Sequence, residues 1–148
     1  MKYELTGETM VVEGVALYRI RALVVGPWGE AGTLGGLIES DGNLSHDENA
    51  WVYGDAMVSG NARVSETAQV YGNARVYGNA RVYRTAQVYR TARVYENAQV
   101  YGDAQVYGNA RVYENAWVYG DARVYETAQV YETAQVYGSA QVYGSAQV

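Results

Sequence analysis

The sequence predicts an all-β fold in which a single chain winds into a parallel solenoid. From Ala50 to Ala146 an alanine recurs every six residues without a miss, and a valine stands two places after each alanine, from Val52 to Val148. These 17 repeats read roughly A-[RQ]-V-Y-[GE]-[NDT], so apolar and polar residues alternate before two turn-prone residues follow. Alternation with period two is typical of a strand, and a strict period of six does not fit the 3.6 residues of a helical turn.

An antiparallel meander with two-residue hairpins would also give short strands at this spacing. In such a hairpin Tyr53 would lie beside Ala56, and the apolar face would change sides at every strand, so no continuous core could form. Turn pairs such as Glu66-Thr67 and Arg84-Thr85 also place a β-branched residue where primed hairpin turns require positive φ. In a parallel solenoid, by contrast, every alanine and valine points inward and stacks on its counterparts in the neighbouring coils.

The motif of an aliphatic residue followed four positions later by a small one, as in Val52-Tyr53-Gly54-Asp55-Ala56, resembles the hexapeptide-repeat left-handed parallel β-helix. The resemblance covers about two-thirds of the chain. It implies a left-handed winding with three hexads in each coil. Residues 49–148 then form about 5.5 regular coils, a prism about 26 Å long at roughly 4.8 Å per stacked strand.

With three hexads per coil, the outward side chains form columns on three faces. The predicted tyrosine ladders are Tyr53, Tyr71, Tyr89, Tyr107, Tyr125 and Tyr143; Tyr77, Tyr95, Tyr113 and Tyr131 under Ser59; and Tyr83, Tyr101, Tyr119 and Tyr137 under Ser65. Arg75, Arg93 and Arg111 stack on the second face, followed by Gln129 and Gln147. Glu96, Glu114 and Glu132 stack at the adjoining corner, where their charge partly offsets repulsion among the arginines.

Residues 1–48 lack the repeat and are expected to form an N-terminal β-hairpin cap and an irregular first coil. An alternating run from Val15 to Val25 follows Met10-Val11-Val12 and a Glu13-Gly14 turn signal, which indicates a hairpin. A dissimilar end segment covers the exposed strand edges of a solenoid and fixes the register of near-identical coils.

The N-terminal region carries a second resemblance. Its motifs are LYRIRAL at Leu17–Leu23, TLGGLIES at Thr33–Ser40 and NLSH at Asn43–His46. Together with the repeat they resemble the YdcK-like group of bacterial and prophage proteins, which implies a bacterial or phage origin.

Composition excludes several classes of function. The 148 residues contain no cysteine, so no disulfide framework, thiolate metal site or thiol redox chemistry is expected. A single histidine excludes centres that need two or three imidazoles, such as a carbonic anhydrase of the β-helical type, and we expect neither a metal nor a cofactor.

Residues 51–148 carry eight basic and eight acidic side chains, so a nucleic-acid partner is not expected. No apolar stretch is long enough to span a membrane and no secretory signal is present, so we expect no membrane partner and a place in the bacterial cytoplasm or with phage.

His46 is the one candidate for catalysis. Hexapeptide acyltransferases use a histidine as general base, so an acyltransferase-like enzyme is an alternative function. Position 46 lies six residues before Val52, in the register of the inward valines, which favours a hydrogen-bonded residue of the cap instead. Those enzymes also usually carry a loop extruded from the coil, whereas the repeat here runs from 50 to 148 without an insertion.

Candidates for binding lie among the outward side chains. Trp51 and Trp117 occupy outward positions that elsewhere hold mostly arginine or glutamine, and are candidate anchors for a partner. Tyrosine rings could stack on sugars and the arginine column could meet phosphate, although packing between neighbouring coils explains the ladders more simply. The tyrosine and arginine candidates are Tyr89, Tyr107, Tyr125, Arg75, Arg93 and Arg111.

The sequence therefore favours a non-enzymatic structural or interaction module that binds or inhibits a macromolecular partner, with the protein partner unknown. The alternatives are the acyltransferase-like enzyme and carbohydrate binding on a tyrosine face. Ala146-Gln147-Val148 leave the last coil uncovered, and an open strand edge is a template for another chain. We therefore expect a homodimer formed through the C-terminal coils.

Overall fold

The computed structural model describes residues 1–148 and consists of β-strands with one 3₁₀ turn at Asp41–Asn43. The three longer strands are β1 (Tyr3–Val12), β2 (Val15–Ala22) and β3 (Leu34–Ile38). The two-residue strands are β4 (Trp51–Val52), β5 (Met57–Val58), β6 (Arg63–Val64), β7 (Gln69–Val70), β8 (Arg75–Val76), β9 (Arg81–Val82), β10 (Gln87–Val88), β11 (Arg93–Val94), β12 (Gln99–Val100), β13 (Gln105–Val106), β14 (Arg111–Val112), β15 (Trp117–Val118), β16 (Arg123–Val124), β17 (Gln129–Val130), β18 (Gln135–Val136) and β19 (Gln141–Val142). None of the chain forms a helix with the length and apolar character needed to cross a membrane.

Short strands 18 residues apart pair in parallel, as β10 does with β13. The pairs build three sheets, which we name by their outward residues. The glutamine face (β4, β7, β10, β13, β16, β19) presents Trp51, Gln69, Gln87, Gln105, Arg123 and Gln141; the arginine face (β5, β8, β11, β14, β17) presents Met57, Arg75, Arg93, Arg111 and Gln129; the tryptophan face (β6, β9, β12, β15, β18) presents Arg63, Arg81, Gln99, Trp117 and Gln135. These parallel registers confirm the predicted solenoid, which makes about six turns. The left-handed winding of the solenoid stays a prediction.

The core is a column of alanines and valines that fills the inside of the solenoid. From Ala50 to Val130 these residues are at most 1% exposed, and they form one continuous cluster. Burial of each valine side chain contributes about 1.5–3 kcal/mol relative to leaving it in water. A single coil has too little inner surface to bury its own valines, so each coil depends on the coils above and below it.

The corners between strands require a left-handed backbone at the residue after each tyrosine or serine. Glycine holds this position in many coils, for example Gly102 with φ of 67°. Glutamate or arginine holds it elsewhere, as at Glu66 (φ 58°) and Arg84 (φ 60°). The threonine that follows such a residue, as Thr67 follows Glu66, is not among the residues with positive φ. The corner therefore accepts a β-branched residue that a type I′ hairpin turn would reject.

The N-terminal cap contains the predicted hairpin. β1 and β2 pair antiparallel, and the turn between them at Glu13 and Gly14 has φ of 51° and 80°, as a type I′ turn requires. The second strand ends at Ala22, so Leu23–Val25 of the alternating run lie beyond it and are exposed. β2 pairs antiparallel with β3, and β3 pairs in parallel with β5, so the cap extends the arginine face.

The first coil is two residues longer than the others, which corrects the expected position of His46. Leu37 pairs with Met57, and Leu44 forms a bridge with Val64, so both spacings are 20 residues. Leu44, which is fully buried, therefore takes the inward position that the six-residue period assigns to His46. The extra residues lie in the corner from 45 to 49, because Trp51 already pairs with Gln69 at the regular spacing. The period fails here because the repeat begins only at Ala50.

Two glycines allow β3 to pass close to the first regular coil. A Cβ atom at Gly36 would lie 2.5 Å from Val52 Cγ1 and 2.7 Å from the Ala56 carbonyl oxygen. A Cβ atom at Gly35 would lie 2.7 Å from both Ile20 Cγ1 and the Val52 carbonyl oxygen. These approaches are far shorter than van der Waals contact, so the cap fits onto the solenoid only with glycine at both positions.

We predict that Gly36→Ala lowers the free energy of unfolding by about 1–3 kcal/mol, because the new methyl group overpacks the contact with Val52 and Ala56. Gly7→Ala is the matched control, since nothing lies within 4 Å of a Cβ atom there and neither glycine has positive φ. The control should change stability by about 0.5 kcal/mol or less. Urea titration followed by circular dichroism compares the variants, and equal stability of both would contradict the close packing of the cap.

Candidate functional site

The tyrosines form the three ladders that the sequence predicts. Rings one coil apart lie parallel, as for Tyr71 and Tyr89 with centroids 4.7 Å apart and planes 2° apart. Spacings along the ladders range from 4.7 to 5.4 Å, except at Tyr53, whose ring meets Tyr71 edge-on at 6.3 Å. Each interior ring therefore has both faces covered by its neighbours and presents only its edge outward. Such contacts between stacked aromatic side chains stabilise the coil.

A regular hydrogen bond links each ladder to the next coil. Where glutamine stands 16 residues after a tyrosine, the tyrosine hydroxyl donates to the glutamine Oε1 atom, as Tyr71 does to Gln87 at 3.0 Å. Tyr83, Tyr89, Tyr113, Tyr119, Tyr125 and Tyr131 do the same, at distances from 2.9 to 3.5 Å. The hydroxyl tip of each ring thus reaches the outward position of the coil above it. This bond fixes the tilt of the ring and satisfies the hydroxyl. Tyr53, whose ring is turned edge-on, is the exception and makes no such bond to Gln69.

The arginine column lies where it was predicted, with Arg75, Arg93 and Arg111 in register and Gln129 and Gln147 after them. No carboxylate lies within 4.0 Å of these three guanidinium groups, so the acidic corner column makes no direct ion pair with them. Arg75 and Arg93 instead line a cleft of about 240 Å³ beneath the tip of the hairpin.

Trp51 is not an exposed anchor, which corrects the sequence interpretation. It points outward from the first coil, but the cap covers it and leaves it 0% exposed. Its ring stacks on Trp28 with centroids 4.7 Å apart and meets Tyr3 edge-on at 6.2 Å. The Nε1 atom of Trp51 has no hydrogen-bond partner. Trp51 therefore joins the cap to the solenoid and is closed to a partner.

Trp117 is exposed, as the sequence suggests. The residue is 38% exposed on β15, the last strand but one of the tryptophan face, where its ring meets Tyr101 edge-on at 6.4 Å. Gln99 and Gln135 flank it in the same column. Trp117 is thus the one exposed tryptophan on the three faces, because Trp51 is covered by the cap.

His46 is held in the cap by both of its ring nitrogens. Its Nδ1 atom accepts a hydrogen bond from the Lys2 backbone N–H at 3.1 Å, and its Nε2 atom lies 2.7 Å from Asp41 Oδ1. The ring stacks on Tyr3, with centroids 4.0 Å apart and planes 8° apart. Because Nδ1 is an acceptor, Nε2 carries the proton donated to Asp41. Neither nitrogen has a free lone pair for a substrate in this arrangement.

The groups that surround His46 could not be predicted from the repeat pattern. Lys2 is 4% exposed, and its ammonium group donates to the Ala50 carbonyl oxygen at 2.7 Å. Burial lowers the pKa of Lys2 to about 8, and the charges of Asp47 and Glu48 offset part of this shift. An open groove of about 390 Å³ lies beside this cluster, between Trp28 and the two acidic residues. Lys2, Tyr3 and Trp28 belong to no repeat, so only the folded cap places them together.

The structure does not bring the predicted binding residues into one site. Tyr89, Tyr107 and Tyr125 lie in the ladder that begins at Tyr53, beside the glutamine face. The column of Arg75, Arg93 and Arg111 and the side chain of Trp117 lie on the other two faces. No group of three or more histidine, aspartate or glutamate residues is arranged to hold a metal ion. Self-association through the last coil stays a prediction.

Comparison with known proteins gives a family match in the repeat region. The family model described as the YdcK beta solenoid repeat matches the chain four times, at residues 50–66, 68–84, 74–90 and 104–120. No curated protein matches the chain significantly. The matched segments lie within the stacked coils, so the match and the structure agree on the architecture.

We predict that Trp51→Ala lowers the free energy of unfolding by about 3–5 kcal/mol, because it leaves a cavity between Trp28 and Tyr3. Trp117→Ala is the matched control on an exposed face and should cost about 0.5 kcal/mol. Chemical denaturation of both variants measures the difference. Equal and small losses would contradict the burial of Trp51 beneath the cap.

Proposed function

The chain is a YdcK-like β-solenoid repeat protein, and from that premise we propose that it acts as a non-enzymatic interaction module. The rod presents side chains on flat faces to a macromolecular partner, which it binds or inhibits. The observation that carries this proposal is the exposure of Trp117 on a face whose other outward residues are arginine and glutamine.

The tryptophan face has the features of a binding surface. Tryptophan and arginine are the residues that most often dominate the energetics of protein interfaces. The interior strands of this face are paired on both sides, and the tyrosine hydroxyls next to Gln99 and Gln135 are fixed by hydrogen bonds. A rigid surface loses little conformational entropy on binding, so more of the contact energy is available for affinity.

Two features of the cap disfavour the acyltransferase alternative. A general base needs a nitrogen that can accept a proton from the substrate, whereas both nitrogens of His46 are engaged by Lys2 and Asp41. The neighbouring groove is lined by Asp47 and Glu48 as well as by Lys2 and the N-terminal Met1, so it lacks the excess of positive charge that would attract the phosphates of an acyl-CoA donor. Calorimetry that detects saturable acyl-CoA binding by the chain, lost in His46→Ala, would contradict the non-enzymatic proposal.

The ladders offer little to a carbohydrate along their length. A sugar ring stacks on the face of an aromatic side chain, whereas the interior tyrosines cover each other's faces at 4.7–5.4 Å. Free ring faces occur only where a ladder ends.

We also propose a bacterial or phage origin and a cytoplasmic location, on the basis of the sequence and the family resemblance.

We predict that the immobilised full chain captures a partner from a bacterial lysate and that Trp117→Ala reduces capture about ten-fold or more, as loss of an interface hot spot does. Gln135→Ala is the matched control, because Gln135 is exposed in the same column one coil away. Quantitative mass spectrometry of the captured proteins gives the ratio. A captured protein that responds equally to both variants, or to neither, would contradict a role for Trp117.

A further inference from the structure

Two of the three tyrosine ladders begin one coil late, because serine holds the tyrosine position in the first regular coil. Ser59 precedes Tyr77, and Ser65 precedes Tyr83. Tyr77 and Tyr83 each stack on the next tyrosine with centroids 4.9 Å apart, so one face of each ring is covered. The other face looks onto the space that the serine leaves empty. Each serine therefore creates a slot shaped for one aromatic ring.

The hydrogen-bond pattern of the ladders predicts which residue lies next to the hydroxyl end of a ring in such a slot. A ladder hydroxyl reaches the outward residue 16 positions ahead, as Tyr83 reaches Gln99 at 2.9 Å. For Ser59 that residue is Arg75, and for Ser65 it is Arg81. A ring placed in either slot like a ladder tyrosine would therefore point the substituent at its hydroxyl position toward a guanidinium group.

The two slots differ in their charge. The slot at Ser59 is part of the cleft under the hairpin, whose lining includes Glu13 and Glu39 as well as Arg75. The slot at Ser65 is a notch of about 200 Å³ lined by Arg63, Ser65, Arg81 and Tyr83 alone.

The arginines of the Ser65 notch are free to bind an anion. Arg63 and Arg81 are in register on neighbouring strands, and neither has a carboxylate within 4.0 Å. The nearby carboxylate of Glu66 accepts a hydrogen bond from the Arg84 backbone N–H at 2.9 Å and lies 3.7 Å from its Nε atom. Two unpaired guanidinium groups and one open ring face thus converge on the notch.

We propose that this notch binds an aryl phosphate, with the aromatic ring stacked on Tyr83 in the place of the missing tyrosine and the phosphate held by Arg81 and Arg63. Stacking uses the uncovered face of the ring, and the guanidinium groups match a phosphate dianion in charge and in hydrogen-bond geometry. The same chemistry is available from a free aryl phosphate or from a phosphorylated tyrosine side chain of another polypeptide. The site is separate from Trp117 and does not depend on the partner proposed for it.

Calorimetry on the full chain tests the proposal with phenyl phosphate as the probe. Phenyl phosphate should bind saturably, and inorganic phosphate and phenol should each bind about ten-fold more weakly or worse, because each lacks one of the two interactions. A short phosphotyrosine peptide compared with phenyl phosphate distinguishes the two sources: tighter binding of the peptide indicates a polypeptide ligand, and equal or weaker binding indicates a free aryl phosphate. Absence of phenyl phosphate binding, or equal binding of inorganic phosphate, would overturn the site.

Three variants place the ligand in this notch, and each introduces a residue that the repeat already uses. Ser65→Tyr fills the slot with the protein's own ring and should abolish binding. Arg81→Gln copies Gln99 of the same column and should weaken binding about ten-fold. Ser59→Tyr fills the other slot and should leave binding unchanged. Wild-type affinity in either Ser65→Tyr or Arg81→Gln, or loss of binding in Ser59→Tyr, would contradict the assignment to Ser65.

Discussion

Stacking of each inward alanine and valine on the same residue 18 positions away is the interaction on which the rest of the molecule depends. The buried columns run without interruption from Ala50 to Val130, and no single coil could bury them alone. Because the inner side chains repeat every 18 residues, equivalent residues of neighbouring coils lie directly above one another. That register turns a six-residue sequence period into straight columns on the outside.

The outer surface follows from this constraint but is free to vary within it. Ladder rings 4.7–5.4 Å apart and the repeated tyrosine–glutamine hydrogen bond are consequences of strand spacing. A change in one outward residue leaves the core intact, so each face can carry its own side chains. Trp117 and the serines at the ladder ends are such departures, and the functional proposals rest on them for this reason.

How far the sequence predicts the structure depends on whether a residue belongs to the repeat. The ladders, the arginine column and the parallel registers follow from a period that any reader of the sequence can count. The Glu13-Gly14 hairpin follows from local turn chemistry. Neither the period nor turn chemistry predicts how the cap packs. Trp51 occupies an outward position of the repeat. Trp28 covers it only because β3 crosses the first coil, which Gly35 and Gly36 permit. His46 is displaced from the valine register by two extra residues in the first coil. They lie before Ala50, where the repeat has not yet begun, so the period cannot locate them. The charged residues with positive φ at the corners cannot be predicted from residue preference, since glycine is the residue that favours this conformation.

The most direct test of the account is a pair of double-cysteine variants, since the chain has no cysteine of its own. Gln87→Cys with Gln105→Cys joins positions that pair in parallel register one coil apart, at a strand spacing of about 4.8 Å that lies within the reach of a disulfide. Gln87→Cys with Arg93→Cys joins consecutive strands that belong to different faces. Under mild oxidation the first pair should form an intramolecular disulfide, identified by mass spectrometry, and the second should stay reduced. A disulfide in the second pair and none in the first would contradict the parallel coil and every column derived from it.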